Sequence, residues 1–243
     1  MARPNGIFDR THPVRRPPYR RLLREVWSLA AEFPTPPDPA DLPQGRGHVV
    51  LIVPGLLSTD TFTSPLRGFL RRCGYRSFGW GLGMNVGPTK RALRGLRARI
   101  RELRLIEGGP ISIVGVSVGG VLARDAAYDC REDIRQIITL SSPFHLPTAS
   151  TVEPVFHLCT LFHSSAVDLA RLATPLPVRS TAIFTRDDGI VARESCWTEA
   201  EASTSIEVRG AHMTLGRNPS VLRLVAERLG STPLLEKALQ QQA

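Results

Sequence analysis

The sequence predicts an α/β fold: a mostly parallel central sheet flanked by helices, with a small helical cap insertion. Three observations predict it. The run Val49-Val50-Leu51-Ile52-Val53 is continuously apolar rather than alternating, the mark of a strand covered on both faces. Strand-like runs then alternate in order with segments of helical period, the pattern of βαβ units. Serine or asparagine followed by proline opens helices at both ends of this region, and glycine closes them.

Residues 1–46 read as a separate basic arm. Seven arginines face only Asp9 and Glu25 in the first 30 positions. Leu22, Val26, Leu29 and Phe33 recur at helical spacing, so one amphipathic helix is expected from Tyr19 to Phe33. Pro34, Pro36, Pro37, Pro39 and Pro43 stop it and stiffen the linker that follows. Such a helix ordinarily lays its apolar stripe on the neighbouring domain and leaves its arginines in water. Peripheral membrane contact is the functional alternative.

The region 47–231 carries the α/β pattern. After the strand at 49–53, Ser64-Pro65 caps a helix that Gly74 closes, and Tyr75 to Trp80 forms a second strand. Thr89 to Ile106 is a long helix whose stripe is Leu93, Leu96, Ile100, Leu103 and Ile106. Strands follow at Ile111–Val114, Ile134–Leu140, Val178–Thr185 and Ser203–Val208, and a last helix runs from Asn218-Pro219 to Gly230. Residues 232–243 are a tail. Between about 144 and 177 the alternation breaks, and Val155, Leu158, Cys159, Phe162 and Val167 suggest apolar helices. Long insertions concentrate function, so a cap is expected there, against a plain connecting helix.

Composition excludes several classes. The chain has 243 residues, 42% hydrophobic and 22% charged, which is globular rather than disordered or collagen-like. The longest nearly apolar run ends after nine residues at Leu57, against about 20 for a bilayer span. No secretory signal pattern is visible, and Cys73, Cys130, Cys159 and Cys196 form no C-x-x-C pair. Reduced buried thiols and a cytoplasmic location are therefore expected. The formal charge of +9 fits an arginine-rich soluble protein, with no nucleic-acid partner expected. His157 and His163 stand six positions apart, about 240° round a helix, so they and Cys159 make no metal site; His12 and His145 lack partners. Gly79, Gly81 and Gly83 lack the further glycine of a dinucleotide loop. No metal and no cofactor is implied.

The chemistry is carried by Gly115-Val116-Ser117-Val118-Gly119-Gly120, which follows an apolar strand and precedes a helix. This is G-x-S-x-G in its meaningful context, a tight turn that exposes a serine hydroxyl. A helix N-terminus behind the serine offers N–H groups to an oxyanion. Serine needs a base, and the base needs an orienting carboxylate. The order serine, acid, histidine is met by Asp187 or Asp188 after one strand and His212 after the next. All lie beyond strand C-termini, the edge where open α/β sheets bind ligands.

Over residues 45–230 the chain resembles the α/β-hydrolase superfamily, in particular bacterial lipase/esterase-like members. The resemblance rests on Gly47-His48 through Gly55-Leu56, Trp80 to Pro88, the Ser117 turn, Ser142-Pro143-Phe144, Asp188-Gly189-Ile190-Val191 and His212. It implies Ser117 as nucleophile, His212 as base and then acid, and Asp188 as the orienting acid, with Leu56 and Val118 supplying the oxyanion amides. Pro54-Gly55 replaces the common His-Gly, and Val116 a common His or Trp. The implied activity is cleavage of a small-molecule ester or lipid-like substrate through an acyl-enzyme. Acyl transfer by the same triad is an alternative. So is a non-catalytic binding protein docked to a membrane or partner by its basic helix.

Overall fold

The structure is a computed structural model that describes residues 17–30, 35–144, 150–151, 167, 169–172, 174–197 and 203–231. The tail 232–243, most of the cap expected over 144–177, and His12, His145, His157, Cys159 and His163 lie outside the described residues. So do residues 31–34 at the expected end of the first helix.

Among the described residues, six strands form one parallel sheet: β1 (Val49–Val53), β2 (Arg76–Gly79), β3 (Ile111–Val116), β4 (Ile134–Leu140), β5 (Arg179–Thr185) and β6 (Ser203–Val208). Their order is β2-β1-β3-β4-β5-β6. The chain therefore moves outward from β1 in one direction and, after β2, returns to build in the other. The C-terminal ends of β1 and β3 flank that reversal, where open α/β sheets form a crevice.

Successive residues of β1 point to opposite faces, and both are dry. Val49, Leu51 and Val53 join one core with Leu93, Leu96, Ile100 and Leu103 of α3 (Lys90–Glu107) and Leu122 and Ala126 of α4 (Val118–Asp129). Val50 and Ile52 join the other with Leu66, Phe69 and Leu70 of α2 (Ser64–Arg72) and Val221, Leu222 and Val225 of the C-terminal helix Pro219–Gly230. That double burial is why β1 reads as an unbroken apolar run.

Cap chemistry sets the ends of two helices. Thr89 accepts the Ala92 N–H at the start of α3, and Gly108, at φ 76°, ends it. Asn218 accepts the amides of Ser220 and Val221 at the start of the C-terminal helix. Two expectations change. Ser64 is the first residue of α2 rather than its cap, and its hydroxyl donates back to the Thr61 carbonyl at 2.7 Å. Ile106 is 42% exposed because, at about 100° per residue, it stands roughly 100° round the helix from the buried stripe of Leu93, Leu96, Ile100 and Leu103. Between 167 and 177 the structure shows one helical turn, α5 (Leu169–Leu172), with the side chain of Leu172 in the first core; the C-terminal helix is α6.

The largest departure is α1 (Tyr19–Ala30). Of its expected apolar face, Val26 and Leu29 are exposed and Leu22 is half-buried, while the buried residue of the helix is Glu25. The physical reason is the surface it meets. The turns after β5 and β6 present backbone N–H groups, which a carboxylate satisfies and a leucine stripe would leave unpaired. Gly189 permits the approach: a Cβ there would lie 2.5 Å from the Arg21 carbonyl oxygen. The Arg21 guanidinium adds a bond to the Arg186 carbonyl at 2.9 Å.

Candidate active site

Ser117 sits between β3 and α4 with φ 51° and ψ −124°, a conformation L residues rarely hold. Such a residue costs about 1–3 kcal/mol and persists only where its surroundings over-determine it. Here they do. Its amide donates to the Leu140 carbonyl at 2.8 Å and its carbonyl accepts from the Gly120 amide at 2.9 Å. Three glycines let strand and helix close around it. A Cβ on Gly115 would overlap the Gly120 backbone, one on Gly119 the Val53 carbonyl, and one on Gly120 the Ser142 hydroxyl.

The loop after β1 lies against this turn, for a Cβ on Gly55 would stand 3.3 Å from that of Ser117. Asn85, fully buried, holds the loop in place. Its side-chain amide donates to the Pro54 carbonyl at 2.7 Å, and its oxygen accepts from the Gly87 amide at 3.0 Å. Its own backbone accepts from Leu57 and donates to Ser58. Among the described residues, the amides of Leu56 and Val118 donate to no backbone carbonyl. Val118 is the first residue of α4, where an amide has no acceptor within its helix.

Asp188 and His212 meet. Asp188 Oδ2 accepts from His212 Nδ1 at 2.8 Å, and both side chains are buried. Its other oxygen accepts the amides of Ile190 and Val191 at 2.9 and 2.7 Å, so the acid folds its own loop around itself. Asp187 instead gives its amide to the Thr185 hydroxyl and is partly exposed. Thr151 donates its hydroxyl to the Gly189 carbonyl and its amide to Ile190, pinning this loop from a third side. Val116, next to Ser117, shares a narrow crevice with His212, Phe62, Leu66 and Met213. Ser117 Oγ and His212 make no hydrogen bond to each other.

Sequence reasoning missed Glu25. One carboxylate oxygen accepts the amides of Gly189 at 2.8 Å and His212 at 3.0 Å, and the other accepts that of Met213 at 3.0 Å. A helix from the arm thus ties the acid loop to the histidine loop. The signal was a lone acid among arginines on the helix. Electrostatics follow from this packing. Burial pushes the His212 imidazole down, but the charge of Asp188, its hydrogen bond, and the charge of Glu25 outweigh it and leave His212 above the ordinary histidine value. Burial, with the charge of Asp188 nearby, pushes the Cys196 thiol well up, so it stays neutral. Cys73 and Cys130 are likewise free and buried.

A second serine–histidine–acid chain lies at the opposite edge of the sheet. His48 Nδ1 stands 2.5 Å from Glu107 Oε1 and Nε2 stands 2.9 Å from Ser112 Oγ. It borders a groove of about 870 Å³ lined in part by Arg46, Arg76 and Arg135. Residue types alone do not make a nucleophile, however. Ser112 is wholly buried near the start of β3, and Glu107 spends its other oxygen on the Val49 amide. This network satisfies buried polar groups where β1 and β3 begin.

Among the described residues no group of three His, Cys, Asp or Glu side chains could hold a metal ion, and no helix is long and apolar enough to cross a membrane. No family model and no curated protein matches the sequence. Solved structures do. Lipase B of Aspergillus fumigatus superposes with a TM-score of 0.61 at 14% identity, over 78% of this chain and 54% of that one. Est1E of Butyrivibrio proteoclasticus gives 0.55 at 14%, over 81% and 89%. A thioesterase domain from the curacin biosynthetic pathway gives 0.52 at 14%, over 78% and 93%. These likenesses, with the parallel six-stranded sheet, show an α/β-hydrolase fold.

Proposed function

We propose that the chain is a serine hydrolase that cleaves carboxylic esters of small-molecule or lipid-like substrates. Ser117 Oγ attacks the ester carbonyl carbon while His212 Nε2 takes the hydroxyl proton. The carbonyl oxygen becomes an oxyanion that the amides of Val118 and Leu56 stabilise, each worth about 3–4 kcal/mol where such donors have been removed. The intermediate collapses, the C–O bond to the alcohol breaks, and His212 returns its proton to the leaving oxygen. Water then repeats the sequence on the acyl-serine and releases the acid. Asp188 keeps Nδ1 protonated, so Nε2 presents its lone pair toward the nucleophile.

The observation that carries this reading is the buried 2.8 Å contact between Asp188 and His212, at the same sheet edge as the strained Ser117 turn. The serine–imidazole bond that the reaction needs is of a kind often long without substrate and tightened in the complex. A fluorophosphonate probe tests the proposal. Stoichiometric labelling that is lost in Ser117→Ala and strongly slowed in His212→Ala is expected. A folded wild-type chain that stays unlabelled and leaves p-nitrophenyl esters intact would sink it.

A further inference from the structure

We infer that the outward face of α1 is a docking surface for an anionic phospholipid bilayer. Tyr19, Leu23, Val26 and Trp27 are 66%, 66%, 62% and 76% exposed. At about 100° per residue these four and Ala30 share an arc of roughly 100° along the helix. Arg20 and Arg24, both exposed, border the Trp27 edge of that arc. The acidic residue of the helix, Glu25, is turned the other way and consumed by three backbone amides. What the helix shows to solvent is therefore apolar and positive, with no acid.

Inward packing does not explain this face, because α1 is held through Glu25 and Arg21 on its polar side. A second copy fits it poorly. A 12-residue helix is about 18 Å long and 10 Å across, so its face offers far less than the roughly 800 Å² per partner of a stable dimer. A bilayer surface asks for neither a large area nor a matching contour. It takes up leucine and valine below the headgroups, seats tryptophan and tyrosine among them, and attracts arginine when the lipid is anionic. Leu57, Leu82, Met84 and Val86, exposed in the loops after β1 and β2, add apolar side chains at the C-terminal edge of the sheet. Glu25 joins α1 to the turns after β5 and β6 at that same edge, so docking would bring the candidate site close to the lipid.

Sedimentation of the full chain with sucrose-loaded vesicles tests this without reference to catalysis. Binding is expected to phosphatidylcholine–phosphatidylglycerol vesicles and to be much weaker to phosphatidylcholine alone. Leu23→Glu with Trp27→Glu should weaken it at least tenfold. Arg20→Gln with Arg24→Gln should weaken it roughly 10- to 30-fold on anionic vesicles only. These positions are exposed, and far-UV circular dichroism checks that each variant is folded. Failure of the wild type to sediment with anionic vesicles, or equal sedimentation of wild type and Leu23→Glu/Trp27→Glu, overturns the inference. So does a dimer that the same pair of substitutions dissociates in a chain that ignores vesicles. Loss of probe labelling with vesicle binding intact would count against the hydrolase reading alone.

Discussion

Glu25 and Asp188 do different work around one imidazole. Asp188 contacts the ring, whereas Glu25 holds the backbone on which the ring is mounted. Asp188→Asn should therefore lower kcat by roughly 10⁴-fold with little change in KM, since the ring loses both its tautomer and its counter-charge. Glu25→Gln should act in a distinguishable way. One amide N–H would face an –NH2 group instead of an oxygen, which costs about 1–3 kcal/mol of stability. It also removes one of the charges that raise His212. The base must be neutral to act, so activity falls as pH drops through the His212 value, which lies above 6.5 in the wild type. With Glu25 neutralised, that acid limb should move to lower pH, whereas a purely structural role would lower the plateau and leave the limb in place. A pH profile of kcat/KM on a soluble ester reads the difference.

Elements show how much of this was legible in the sequence and why the rest was not. The Ser117 turn was readable because its glycines answer a local steric demand: strand and helix meet within a few residues, and Cβ atoms would collide. β1 was readable because burial on both faces leaves an unbroken apolar run. The orientation of α1 was not. Its stripe is genuinely amphipathic, but the surface it meets is set by amides 164 and 187 residues away, which no local pattern encodes. The role of Asn85 was hidden for the same reason, since its partners Pro54 and Leu57 lie on another loop. That loop carries the proposed Leu56 donor, so Asn85→Ala should cost about 10²–10³ in kcat while KM changes little. Pre-steady-state acylation of Ser117 checks it: a slowed burst is expected, and an unchanged burst would separate the loop from the oxyanion.

At the scale of the whole molecule, the two cores share one sheet, and consecutive residues of β1 belong to different cores. Val49, Leu51 and Val53 hold one face and Val50 and Ile52 the other, so a single strand ties the two cores together. Ser117 inherits that coupling. Its turn is gripped by Leu140 of β4 and crowded against Val53 of β1, so the strained conformation lasts only while the sheet does. A cavity on either side should therefore reach the site through the strands. Leu96→Ala, under α3, and Leu222→Ala, under α6, are each expected to lower stability by about 2–5 kcal/mol. In both variants, loss of helical circular dichroism and loss of fluorophosphonate labelling should follow a single urea transition with one midpoint. Separate midpoints for secondary structure and labelling would mean that the Ser117 turn is held locally, by its glycines alone, rather than by the sheet as a unit.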